Sequence, residues 1–156
     1  MVWKWKEGIG RKATLKMYSE KSVPQKENFY NGDWGSRLLF RARTNSLEVG
    51  DRTYRFNETR EKTCLGCNMG VDETVEHIMA ECPAYDGDRD KVIREYKGIL
   101  GEDKFRELVE LEDKGLSFLL GIAENVPLQV VEITKTYLSQ IWEKRELVMN
   151  TLCIHL

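Results

Sequence analysis

Cys64-Leu-Gly-Cys67-Asn-Met-Gly-Val-Asp-Glu73-Thr-Val-Glu-His77-Ile-Met-Ala-Glu-Cys82 is the stretch on which the reading of this chain turns. Its spacing is C-x2-C-x9-H-x4-C. A two-residue gap lets one tight turn, here punctuated by Gly66 and Gly70, aim two thiols at one centre. Asp72 is expected to cap a short helix with Val75, Ile78 and Met79 as its apolar stripe, ended by Pro83. His77 would then sit on that helix and Cys82 on its unwinding last turn, about 7.5 Å of rise further on. Three thiolates and an imidazole are a usual tetrahedral set for Zn2+. Against one dication they leave a formal charge of −1, which favours a closed structural centre over one that activates water.

Cysteine usage outside the quartet is sparse. The fourth cysteine, Cys153, lies near the end of the chain with His155, where fraying makes both poor competitors for the metal. Clustered cysteines in a chain with no secretion signal point to metal rather than disulfides, because cytosolic and nuclear thiols stay reduced. Met1 to Gly10 mixes Trp3 and Trp5 with Lys4, Lys6 and Glu7, so it lacks the apolar centre of a signal peptide. The expected location is therefore intracellular, nucleus or cytoplasm. No run approaches the roughly 18 apolar residues of a membrane span, so no membrane partner is expected.

Around the quartet the periodicity is helical. Ser36 is placed to cap a helix through Leu38, Leu39, Phe40 and Ala42 that also carries Arg37, Arg41 and Arg43. Leu47 and Val49, then Thr53, Tyr54 and Phe56, around Gly50-Asp51, suggest a small hairpin or a loop. An earlier segment, Lys6 to Ser22, has the makings of a short helix. Beyond Pro83, apolar residues recur at spacings of three and four: Val92, Ile93, Tyr96, Ile99 and Leu100; Phe105, Leu108 and Val109; Leu116, Leu119 and Leu120. Gly98, Gly101, Gly115 and Gly121 are read as separators, and Pro127 opens a long last helix through Tyr137, Leu138, Ile141 and Trp142. The expected fold is mostly α: a small CCHC zinc knuckle with a short hairpin, followed by a helical bundle. The expected parts are a basic helical region at 1–60, the knuckle at 61–86 and an acidic bundle at 87–156, together one compact unit.

Charge is distributed unevenly. Residues 1–45 hold ten Lys and Arg against four acids, so the first part carries +6 and the remaining 111 residues −8, within a net charge of −2. One positive face on an acidic molecule can dock phosphate without coating polyanions indiscriminately. Lys4, Lys6, Arg37, Arg41 and Arg43 are the candidate nucleic-acid contacts, with Trp3, Trp5, Tyr30, Trp34 and Phe40 interleaved as candidate stacking surfaces. Core packing competes for every one of these rings. No Ser-His-Asp set, phosphate loop or HExxH is present, and His77 is already committed to metal, so no enzyme is expected.

Several segments together resemble the zinc-binding region at the C-terminal end of non-LTR retrotransposon reverse transcriptases, especially those of arthropod-type elements. They are Gly32-Asp-Trp-Gly-Ser36, the run from Leu38 to Tyr54, Cys64-x2-Cys67, Glu73-Thr-Val-Glu-His77, Glu81-Cys82 with Tyr85, Phe118-Leu-Leu-Gly121, and the last helix through Trp142. The resemblance spans nearly the whole chain, and Glu73-Thr-Val-Glu-His77 is its most specific part. It implies that Cys64, Cys67, His77 and Cys82 ligate Zn2+ and that the region helps hold template RNA or target DNA. Neither the paired-aspartate polymerase motif nor an endonuclease is present, so a stand-alone, host-domesticated fragment is expected. Two kinds of partner are open: RNA or single-stranded DNA, or a protein engaged by the acidic helices. A second copy paired through Val130 to Trp142 is a further option.

Overall fold

The computed structural model describes residues 18, 26–110, 115–122 and 126–154. Lys4, Lys6, Trp3, Trp5 and nearly all of the Lys6 to Ser22 segment lie outside the described residues. The fold is mostly helical, and among the described residues there is no strand, only an isolated antiparallel bridge between Thr63 and Asp72.

Helix α1, Trp34–Arg43, turns Leu38, Leu39 and Ala42 into the core. Its cap is Asp33 rather than the expected Ser36: the Asp33 carboxylate accepts the Ser36 N–H at 2.6 Å. That bond holds the Asp33 carboxyl down at about 2. The Ser36 hydroxyl instead lies within donating distance of two acceptors, the Phe29 carbonyl at 3.1 Å and Asn31 Oδ1 at 2.9 Å.

Residues 50–56 depart from the expected hairpin. They form helix α2, Gly50–Phe56. The β-forming Thr53 and Tyr54 are overridden by long-range bonds: the Gly50 N–H donates to Glu73 Oε1 at 2.8 Å and the Asp51 N–H to the Glu73 carbonyl at 3.0 Å. A Cβ on Gly50 would sit 2.7 Å from the Lys62 carbonyl oxygen, so this approach requires glycine.

After the segment from Cys64 to Cys82 come α3, Asp86–Leu100; α4, Glu102–Glu110; the short α5, Gly115–Leu119; and α6, Leu128–Ile154. Gly98 lies within α3 rather than ending it; Gly101, at φ +81°, makes the break. Pro127 immediately precedes α6, as read from the sequence, and its carbonyl accepts the Val130 N–H. The 27 residues of α6 span about 40 Å. No helix among the described residues is long and apolar enough to cross a membrane.

Packing converges on α6, which α1 and α3 both contact, while α4 joins α3 and α5. Tyr96 of α3, Phe118 of α5, and Tyr137, Leu138 and Ile141 of α6 are buried in one core with Leu38 and Leu39 of α1. Phe118 meets Tyr96 and Phe105 edge-on, at centroid distances of 5.3 and 6.0 Å. At the α1–α6 crossing a Cβ on Gly35 would lie 2.9 Å from Lys135 Cβ. The two backbones meet there because glycine leaves the room.

Candidate metal centre

Two short pieces of structure bring the quartet together. Upstream, the Cys64 N–H donates to the Val71 carbonyl and the Glu73 N–H to the Lys62 carbonyl, both at 2.9 Å. These bonds close the loop that carries Cys64 and Cys67, and Gly70 supplies its left-handed turn at φ +65°. Downstream, Thr74 Oγ1 accepts the His77 N–H at 3.0 Å and opens the helical segment. The cap is thus Thr74 and not Asp72, whose carboxylate pairs with Lys62 at 2.5 Å.

The segment from His77 to Glu81 is a π turn, closed by the Cys82 N–H on the His77 carbonyl at 2.7 Å. In an α-helix position i+5 is rotated about 140° from position i. Closing an i→i+5 bond widens the turn and stacks the two positions, so His77 and Cys82 reach one point.

Cys64, His77 and Cys82 are buried and Cys67 is half-buried. The four ligand atoms all lie within 4.8 Å of one another. Cys64 Sγ and Cys82 Sγ are 3.9 Å apart, and Cys67 Sγ is 3.4 Å from His77 Nε2. A zinc tetrahedron, with Zn–S about 2.3 Å and Zn–N about 2.0–2.1 Å, requires about 3.8 Å between sulfurs and about 3.6 Å from sulfur to nitrogen. The donor set and its dimensions therefore fit a tetrahedral metal ion such as zinc. The three thiols are free, as a metal site requires and a disulfide does not.

Burial works against the thiolate form that a metal ion binds. Burial pushes the Cys82 thiol up to about 12 and also raises Cys64, while the N–H groups of Ala84 and Gly66 oppose the rise by bonding those sulfurs. A dication that binds Cys64 and Cys82 must displace the protons that burial favours on them. His77 Nδ1 is buried without a hydrogen-bond partner, and Glu81 Oε2 lies 3.6 Å away. With Nδ1 facing a carboxylate, Nε2 is left for the metal, the arrangement by which outer carboxylates orient ligating histidines.

Glu73 fastens this loop to the rest of the molecule. Its Oε1 accepts Arg145 Nε at 2.9 Å, Arg145 Nη2 at 2.6 Å and the Gly50 N–H at 2.8 Å, joining the metal loop to α6 and α2. Glu73 lies in the most specific part of the motif, yet nothing in the sequence itself signals this role.

The expected basic contacts divide three ways. Arg37 and Arg41 are exposed on α1. Arg43 is fully buried and is not available as a surface contact: Nε donates to the Leu120 carbonyl at 2.6 Å, Nη1 to Glu27 at 2.9 Å and to Tyr30 at 3.1 Å. Two positions beyond Arg41, it faces across the helix into the core. Lys4 and Lys6 lie outside the described residues, as does His155.

Comparisons with protein-family models, with curated proteins and with solved structures find no match for the chain.

Proposed function

We propose that this chain is a zinc-stabilised nucleic-acid-binding module, derived from the tail of a non-LTR retrotransposon reverse transcriptase, that engages unpaired RNA or DNA without polymerase or nuclease activity. The observation that carries this reading is the outer face of α1. At 100° per residue, Phe40, Arg37, Arg41 and Trp34 fall within an arc of about 120°, opposite the core face. All four are exposed, Trp34 by 41% and Phe40 by 50%. The Arg37 guanidinium lies 5.9 Å from the Trp34 ring centroid. Nearby α2 repeats the pairing, with Arg52 5.0 Å from the Phe56 ring, itself 77% exposed. Exposed rings beside guanidinium groups are suited to stack on bases while neutralising phosphate.

In this reading the metal centre is structural: it holds the loop that Glu73 bonds to α2 and α6. The motif resemblance supports the same assignment. The test is fluorescence anisotropy of the metal-loaded chain with single-stranded RNA and DNA oligonucleotides across a salt series. Arg37→Glu with Arg41→Glu should weaken binding at least tenfold and flatten the salt slope by about 0.7 for each phosphate no longer neutralised. Undetectable binding at low salt by the folded, zinc-loaded chain refutes the reading. A protein-interaction adaptor would then take its place, favoured by the exposed Leu147, Val148 and Leu152 on α6.

A further inference from the structure

The π turn that aligns His77 and Cys82 leaves the Met79 carbonyl without a backbone donor of its own, while the Cys82 carbonyl accepts only the Tyr85 N–H from the backbone, at 3.1 Å. Pro83 has no N–H to offer, and the Cys82 N–H is spent on His77. Two side chains from the bundle fasten these carbonyls from outside. Arg89 of α3 donates Nε to the Met79 carbonyl at 3.1 Å and Nη2 to the Cys82 carbonyl at 2.8 Å, while Nη1 is held by Asp86 at 2.6 Å. Tyr137 of α6 donates to the same Met79 carbonyl at 2.7 Å. The Arg89 side chain is 13% exposed, so these bonds are largely shielded from water.

We propose that Arg89 is the positioning residue of the metal centre, locking the π turn so that His77 and Cys82 converge on one ion. Its planar fork reaches two carbonyls and a carboxylate at once, which a lysine ammonium cannot reproduce. A π turn is a strained alternative to α-helix that persists where its surroundings fix it. Released from Arg89, the segment relaxes toward α geometry and carries Cys82 out of the ligand set. The guanidinium also places a positive charge beside a centre whose formal charge is −1 when zinc is bound. Metal affinity is thereby tied to the docking of the bundle, and the knuckle does not act as an independent unit.

The experiment uses the full chain and Arg89→Met, Arg89→Lys and Val92→Ala. Val92 is buried on the same helix and bonds none of these carbonyls, so its truncation reports general loosening of the bundle. Zinc affinity is measured by chelator competition, and ligand geometry by the visible spectrum of the Co2+-substituted protein. Arg89→Met should lose 10–100-fold in metal affinity and show an altered Co2+ spectrum. Arg89→Lys, which keeps the charge but not the fork, should show the same spectral change with a smaller loss. Val92→Ala should keep the unmutated spectrum. If Arg89→Met fails to fold, Arg89→Lys alone decides. An unaltered Co2+ spectrum in the Arg89 variant that folds, affinity within about threefold of the parent, or an equal loss in Val92→Ala overturns the proposal.

Discussion

Removing the Glu73 carboxylate should cost more than removing any exposed ion pair among the described residues. Its side chain is 4% exposed and that of Arg145 11%, and one oxygen accepts two guanidinium bonds and the Gly50 N–H. Glu73→Ala leaves the largely shielded Arg145 guanidinium with the Glu48 carbonyl but no counter-charge, and leaves the first N–H of α2 without its partner. Breaking a buried pair from one side costs about 3–5 kcal/mol, whereas exposed pairs such as Lys97–Glu102 contribute about 0–1 kcal/mol. Glu73→Gln keeps an acceptor for Gly50 but loses the charge, so it should fall between alanine and the parent. The double variant Glu73→Ala with Arg145→Met removes the stranded charge and should recover much of the loss. Urea unfolding of the zinc-loaded variants gives all four corners of the cycle. A cost below about 1 kcal/mol for Glu73→Ala, or strict additivity with Arg145→Met, would refute the reasoning that this pair joins the metal loop to α2 and α6.

Other consequences are more local. Gly35→Ala forces a Cβ to within 2.9 Å of Lys135 Cβ and 3.0 Å of its carbonyl oxygen, and the overpacked crossing should cost about 1–3 kcal/mol by urea unfolding. Asp33→Ala removes the α1 cap at a cost of about 1 kcal/mol. Because the folded Asp33 carboxyl is depressed from 3.8 to about 2, its contribution is complete above pH 4 and disappears as pH falls toward 2; comparing parent and Asp33→Ala stability across that window isolates it. Cys67→Ser should expose the segment from Thr63 to Tyr85 to protease, since structural zinc contributes on the order of 10 kcal/mol in finger peptides; parent-like resistance would contradict this.

The ligand quartet was legible because chemistry constrains its spacing, and α1 and α6 were legible because their apolar residues repeat with the helical period. What escaped were features decided by distant partners. Arg43 reads as one more surface arginine until Leu120, 77 positions away, presents its carbonyl to it. Thr53 and Tyr54 favour a strand, but Glu73 anchors the start of a helix there. Ser36 and Asp72 are as good capping residues as Asp33 and Thr74, and only the course of the backbone chooses between them. The π turn has no sequence signature of its own; the five-residue step from His77 to Cys82 makes sense of it once the i→i+5 bond is seen.

Zinc K-edge X-ray absorption on the purified chain, with metal content measured on the same sample, tests the central claim most directly. One zinc per chain, with three sulfurs at about 2.3 Å and one nitrogen at about 2.0–2.1 Å, is the predicted result. A metal-free chain after purification without chelators, or a first coordination sphere of oxygen and nitrogen alone, would contradict it.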